Sequence, residues 1–387
     1  MGPHLLERGV RRSSLGGLIP EVIWRIDWVL IAAALALTGI GLVMVDSTGS
    51  GFAELGLSAR YGVEHQAIYA VIGLFFLLAA MTIDYHRLEE LAYPIWGLIM
   101  VALLAVRAIG HSALGAAREV KLGPISVQPS EFGVLAVAAA CALYISRHET
   151  ELDLRRLGTL LVIAIFPMAL VFLQPDLGTT IITGFVFFSL LYFAGLRLRY
   201  LAGLAAIVVA VAVAAFALHL VPSYQLDRLR GFLHPNSAQY ASRINYNVDF
   251  SKEAIGAGGV RGTGLFDGQV TNLAYVPIQY EDFIFSALGE QLGFVGGVVV
   301  VGLYSIVAFR IFRAMQMARD SLGRLLCGGA LVFLVFSVFE NIGMAIGITP
   351  VTGIPLPFIS YGGSALFAFF AAIGLVANVE IHRGGRR

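Results

Sequence analysis

Ten long apolar runs, separated by short polar connections, govern what this 387-residue chain can become. They read Trp28–Val45, Gln66–Ile83, Leu91–Val106, Phe132–Ile145, Leu160–Leu173, Thr179–Ala194, Leu201–Leu220, Phe283–Phe309, Leu325–Ile346 and Leu366–Val379. A helix needs about 20 such residues to cross ~30 Å of hydrocarbon. Only a helix satisfies its own backbone there without closing into a barrel. Composition agrees: 58% hydrophobic and 13% charged, against about 45–50% and about 25% in soluble domains. That excludes an ordinary cytosolic enzyme and a disordered chain. A net charge of +1 gives no case for nucleic-acid binding. Cys141 and Cys327 lie in different apolar runs and read as small buried hydrophobes rather than a disulfide or metal site. The expected class is an all-α polytopic membrane protein of about ten transmembrane helices.

Basic residues orient it. With the N-terminus inside, seventeen of the 26 Lys and Arg fall in inside segments. Only Arg60, Arg107, Arg118 and Lys121 fall in the short outside loops. That asymmetry predicts both termini cytoplasmic and an even span number. The organisation is then a cytoplasmic tail over 1–27, one membrane domain over 28–379 and a basic cytoplasmic tail over 380–387. The first span is retained rather than cleaved as a signal peptide. A large outer loop runs from His219 to Asp282, too long to be structureless, and so folds over the outer face. Spans four to six are short beside Pro-containing turns, which predicts ends that enter the membrane as non-helical backbone.

The outside connections carry the unusual residues. Gln128-Pro129-Ser130-Glu131 enters span four, and Gln174-Pro175-Asp176-Leu177-Gly178-Thr179 joins spans five and six. Asn341-Ile342-Gly343-Met344 and then Thr349 to Ser364 join spans nine and ten. Singly, each reads as helix punctuation. Together they bring Gln128, Ser130, Glu131, Gln174, Asp176, Ser360 and Tyr361 toward one end of the bundle. Glu281 and Asp282 open span eight, where the helix dipole alone would favour acids and where chemistry is equally open. Glu290 and Glu340 lie deeper and suit partnered structural carboxylates. Arg118, Lys121, Arg228, Arg230, Arg243, Lys252 and Arg261 form a set that suits a pyrophosphate, although any single one suits solvated loop charge. The glycine-rich stretch Ile255 to Gly264 lacks the strand–helix unit of a dinucleotide site.

On these motifs the chain resembles the SEDS family (shape, elongation, division and sporulation) of RodA- and FtsW-type proteins, from about Trp28 to Val379. Gly115-Ala116-Ala117-Arg118, Gln128 to Phe132, Gln174 to Thr179, Ala254-Ile255-Gly256, Gly262 to Phe266, Asp282 to Ser286 and Gly353 to Ser364 carry the resemblance, and Pro350 to Pro357 is closer to the RodA branch. It implies a ten-helix, N-in/C-in fold in the bacterial cytoplasmic membrane. It also implies a peptidoglycan glycosyltransferase that polymerises lipid II into glycan strands at the outer face, serving cell-wall growth, shape and division. Asp282 is implied as the catalytic carboxylate. The departures are Tyr280 and Glu281 ahead of it, Val134 where a Lys is usual, Glu119 where a Trp is, and Gly268-Gln269-Val270 where Gly-Thr-Gln is.

That chemistry needs a base for an attacking sugar hydroxyl, which assigns Asp282 as general base. A divalent cation, Mg or Mn, is an optional aid at Asp282. Glu131 and Asp176 orient the sugar or the metal, with Gln128, Ser130, Gln174, Ser360 and Tyr361 in the substrate cavity. Arg118, Lys121 and Lys252 face the pyrophosphate. The implied partners are lipid II, membrane lipids and a class B penicillin-binding protein transpeptidase. Gly293, Gly296, Gly297, Gly302, Gly328 and Gly329 either admit the partner's helix or serve internal packing. A lipid II flippase and a non-catalytic scaffold remain alternatives. Ionisable residues clustered toward the outer ends, with nearly pure apolar inner halves, disfavour the flippase.

Overall fold

The computed structural model describes residues 25–109, 111–113, 116–122, 125–148, 154–218, 223–235 and 245–383. Among them, nine helices are long and apolar enough to span a membrane. They are α1 (Trp28–Ser47), α3 (Tyr61–Thr82), α4 (Leu88–Ile109), α5 (Pro129–Ser146), α6 (Leu154–Phe172), α8 (Leu198–Ala217), α12 (Ile284–Met317), α13 (Ser321–Ile346) and α14 (Gly363–His382). The apolar α7 (Leu177–Phe193), at 17 residues, is the sixth predicted span and brings the number to ten. The short α2 (Gly49–Glu54) follows α1. The polytopic all-helical class therefore holds. The loop into α5 adds one small antiparallel sheet in the order β1 (His111–Ala113), β2 (Ala116–Leu122), β3 (Ile125–Val127), which the sequence reading left out.

Centre and periphery separate by burial. In α5 and α14, 78% and 83% of the spanning window is buried, against 6% in α8. No hydrophobic force drives helices together in lipid, so close packing must do it. Gly73 on α3 receives the ring of Phe370 from α14, and a Cβ on Gly374 would stand 2.4 Å from the Leu77 carbonyl oxygen. Cys141 and Cys327 are buried free thiols.

Two features correct the predicted spans. The ends of the fourth and sixth are helical. Pro129 occupies the first turn of α5, where its missing N–H is no loss, so Ser130 and Glu131 ride on the helix itself. Asp176 caps α7, accepting the Thr179 N–H at 3.1 Å. The non-helical backbone lies instead between α13 and α14, over residues 347–362, and is most buried over 356–360. The last helix also runs past Val379 to His382.

The eighth span is two pieces. Gly293 takes φ 64° and ψ −163° and breaks α12. Its first turns are buried, while Phe294, Val295, Val298, Val299, Ile306 and Phe309 further along are exposed. The break frees backbone groups from the helix ladder, and the glycine-rich stretch engages four of them. Phe294 and Val295 donate to the carbonyls of Gly259 (2.9 Å) and Val260 (3.1 Å). Thr263 and Gly264 donate to those of Glu290 (2.9 Å) and Gln291 (3.2 Å). A Cβ on Gly262, which sits at φ +82°, would meet the Gln291 carbonyl oxygen at 2.1 Å. Glycine is required there for conformation and for closeness. This plug belongs to the large loop, which also forms α9 (Ser223–Leu233), α10 (Tyr246–Gly258) and α11 (Gln269–Asn272).

The glycines expected at a partner surface divide in the same way. Gly293 packs on Gly262, Gly328 on Phe193 and Gly329 on Ala138, whereas a Cβ at Gly302 would meet nothing within 4 Å. Three of the six are therefore internal.

The arginine asymmetry places α9–α11 outside and the α12–α13 connection inside. Asp267 and Gln316 are exposed at those two places. A membrane-impermeant maleimide should label Asp267→Cys in intact cells and Gln316→Cys only after permeabilisation. Neither native cysteine should contribute, because both are buried. Equal labelling of both variants in intact cells would overturn the orientation.

Candidate active site

The segment between α13 and α14 gathers the outer end of the bundle. Its backbone is non-helical and buried, so each polar group needs a partner. Pro350, Pro355 and Pro357 have no N–H to satisfy. Side chains from other elements meet several of its carbonyls. Asn341 on α13 donates to the Ile354 carbonyl at 2.8 Å, Tyr304 on α12 to that of Pro357, and Arg228 on α9 to that of Val351 at 3.3 Å. Gln66 on α3 clamps both sides of a turn, donating to the Ser360 carbonyl at 3.0 Å and accepting the Gly362 N–H at 3.2 Å.

The turn carrying Asp282 is seated on this segment. The helix proper begins at Ile284 with Phe283 as its cap, so Asp282 precedes the cap rather than opening the helix. Three consecutive carbonyls are each held from outside. Tyr361 N–H donates to Tyr280 at 2.9 Å, the Ser360 hydroxyl to Glu281 at 2.5 Å, and the Asn341 amide to Asp282 at 2.8 Å. The Asp282 carboxylate is half-buried and lies over Gly353, where a Cβ would stand 3.3 Å from Oδ2. Gly353 has φ +78°, so any side chain there would be strained and would crowd the carboxylate.

Aromatic rings wall this turn. Tyr280 stacks on Phe52 at 4.0 Å and meets Tyr361 edge-on at 5.7 Å. Burial, with Glu281 beside it, pushes the Tyr280 phenol up to about 12. Burial raises Tyr361 further still, with Tyr69 next to it. Both phenols stay protonated at physiological pH and are no bases.

A second cluster adjoins. The Gln128 side-chain amide donates to Asp176 Oδ2 at 3.0 Å and to the Ser130 hydroxyl at 3.0 Å, and Ser130 donates to the same Oδ2 at 3.1 Å. Glu131 lies beside Asp176 and is buried. The cluster joins the first through Ser364, which accepts the Gln128 N–H at 2.8 Å. It also joins through Gly178, packed on Thr352 and Ile354.

Other predicted residues fall elsewhere. Gln174 is buried and donates to the Leu103 carbonyl at 2.7 Å, tying the α6–α7 turn to α4. Lys252 pairs with Asp249 at 3.5 Å and lies across Gly347 at the end of α13, where a cation suits the helix dipole. Arg118 and Lys121 are on β2, but their side chains lie outside the described residues, as does Arg243. Glu340 accepts from the Thr352 hydroxyl at 3.0 Å. Glu290 accepts from Val270 N–H (2.8 Å), Thr271 N–H (2.9 Å) and the Thr271 hydroxyl (2.7 Å), capping α11 from a distant helix. Both carboxylates are partnered by neutral donors rather than by a cation.

Gln66 and Asn341 are the contributors that the sequence reading did not place in the site. Their one signal was a carboxamide inside or at the edge of an apolar run. Among the described residues no three His, Cys, Asp or Glu side chains converge as a metal shell. A divalent cation at Asp282 would need substrate phosphates for most of its ligands, as Mg²⁺ sites commonly do.

Residues 27–384 match the FTSW_RODA_SPOVE family, described as "Cell cycle protein". The chain is 36% identical over 321 residues to "Peptidoglycan glycosyltransferase MrdB" of Escherichia coli, covering 83% of this chain and 86% of that one. It is 34% identical over 361 residues to "Probable peptidoglycan glycosyltransferase FtsW" of Trichlorobacter lovleyi, covering 92% and 93%. Its fold is similar to a structure described as "Structural coordination of polymerization and crosslinking by a peptidoglycan synthase complex", with TM-score 0.78, 28% identity, and 93% and 99% of the two chains covered. Thermus thermophilus rod shape determining protein RodA is also similar, with TM-score 0.68, 27% identity, and 93% and 98% covered.

The Glu290 cap yields a stability test. Glu290→Gln keeps the shape but turns a donor toward α11, leaving a buried N–H unmet at about 1–3 kcal/mol. Its melting temperature in detergent should fall measurably. An unchanged melting temperature would show that the cap contributes nothing.

Proposed function

This chain belongs to the FTSW_RODA_SPOVE family of cell cycle proteins, and on that premise we propose that it polymerises lipid II into peptidoglycan glycan strands at the outer face of the bacterial cytoplasmic membrane. The observation that carries the reading is the Asp282 carboxylate. It is half-buried at the outer end of the bundle, on a turn pinned at three carbonyls, beside the loop that holds the cations.

Asp282 takes the proton from the acceptor sugar's hydroxyl as that oxygen attacks C1 of the donor sugar. The C1–O bond to the lipid pyrophosphate breaks and the electron pair leaves with the pyrophosphate. A hydroxyl is a poor nucleophile until its proton is removed during attack, and a placed base is worth about 10²–10⁴-fold. Arg228, which donates to the Val351 carbonyl on the segment beneath Asp282, is the described cation assigned to the leaving charge, and Lys252, paired with Asp249 at the end of α13, is a second candidate. Arg118 and Lys121, on β2, are assigned the same role from their sequence motif. Asp282 is the residue that would hold a divalent cation, which would supply neutralisation of leaving-group charge. Glu131 and the Gln128–Ser130–Asp176 cluster hold the sugars by hydrogen bonds.

Asp282→Asn keeps size and removes the base. Polymer formation from purified lipid II should fall by about 10²–10⁴-fold, with the protein still folded. Glu281→Gln should lose far less, since Glu281 enters the network through its backbone carbonyl. Wild-type polymerisation by Asp282→Asn would remove the assignment.

The proposed protein partner is a class B penicillin-binding protein with one membrane helix, docked on the exposed lower part of α12. Gly302 lies open on that face. Gly302→Leu should leave the bundle intact and weaken co-purification with the partner. Undiminished co-purification would move the interface elsewhere.

A further inference from the structure

Asn341 occupies an unusual place. It is on α13, fully buried, and one amide group touches both walls of the catalytic turn. Nδ2 donates to the Asp282 carbonyl and to the Ile354 carbonyl, each at 2.8 Å. Both amide hydrogens are thereby used. A flipped amide would set Oδ1 against two carbonyl oxygens, so the orientation is fixed by chemistry. Ile354 directly follows Gly353, the residue over which the Asp282 carboxylate lies. The amide therefore fixes the spacing between the backbone that carries the carboxylate and the floor beneath it.

Ser360 works from the other side. Its hydroxyl donates to the Glu281 carbonyl at 2.5 Å and accepts the Leu356 N–H at 2.8 Å. With the Tyr361 N–H on Tyr280, the carbonyls of residues 280, 281 and 282 are held in a row. The Ser360 hydroxyl is engaged twice with backbone, which turns it away from the sugar-binding role expected from sequence.

We infer that Asn341 and Ser360 are positioning residues that hold the Asp282 carboxylate over Gly353 at the spacing the reaction needs. This rests on Asp282 being the base, as proposed above. The residues act through Asp282 and touch no substrate. Misplacing a reacting group by about 1 Å can lower a rate on the order of 10²-fold, so their loss should appear in kcat rather than in KM.

The test uses the purified full-length chain with lipid II, comparing Asn341→Leu, Ser360→Ala and Asp282→Asn, each assayed per folded molecule from a monodisperse peak. Asn341→Leu and Ser360→Ala should lower kcat by about 10–100-fold with KM for lipid II within about threefold. Their effects should be less than additive in the double variant, because both act on one turn. A merely structural role would reduce the folded yield and leave kcat per folded molecule unchanged. If Asn341→Leu does not fold, Ser360→Ala decides alone. The inference is overturned if the folded variants keep kcat within twofold of wild type, or lose it only through KM, while Asp282→Asn is inactive. Activity in Asp282→Asn would overturn the assignment of the base, a separately visible result.

Discussion

A buried backbone group without a partner is the constraint on which this structure depends. In hydrocarbon no water is present to meet it, and each unmet group costs several kcal/mol. Continuous helices avoid the problem, and most of the chain is helix for that reason. Among the described residues, two breaks in this rule shape the site: Gly293 inside α12 and the segment between α13 and α14. Each is closed by a different device. A glycine-rich turn of the large loop plugs the first with backbone, and prolines together with Gln66, Asn341, Tyr304 and Arg228 close the second.

Those repairs also build the site. The groups that satisfy residues 350–362 come from α3, α9, α12 and α13, so satisfying that backbone draws four elements to one end of the bundle. The Asp282 turn is held by the same segment. Rigidity at the carboxylate is thus a by-product of burying irregular chain, and the large loop is tied to α12 by its plug and by the Glu290 cap.

The carboxylates divide by what meets them. Glu290 receives three donors, Asp176 receives Gln128, Ser130 and the Thr179 N–H, and Glu340 receives Thr352. These hydrogen bonds offset the cost of burial: Glu290 and Glu340 anchor loops, and Asp176 caps α7 while keeping the Gln128–Ser130 cluster assembled. Asp282 differs in being half-buried and laid over Gly353, on a turn whose carbonyl accepts from Asn341. At the inner end the pattern is again structural. Asp27 caps α1 and pairs with Arg310 on α12, and Asp320 caps α13 while accepting from Tyr85 and His86. The inner halves of the spans read as apolar because these groups sit at the helix ends.

Period, length and charge in the amino-acid sequence by themselves determined the membrane class, the ten spans and the order of motifs along the chain. A run of about 20 apolar residues has one stable solution in lipid, and basic loops favour one side. Asp282, Glu131, Asp176 and Ser360 were legible as polar residues grouped at one end. Only the tertiary structure decided which partner each one takes. Gln174 bonds to α4, Ser360 to backbone and Lys252 to Asp249, because the distances between helices are set by packing that no local pattern records. The role of the glycines at 258–264 and 293 was likewise invisible. Their close approaches exist only once two segments about thirty residues apart in sequence are pressed together, and Asn341 gained its place only when Asp282 and Ile354 met across it.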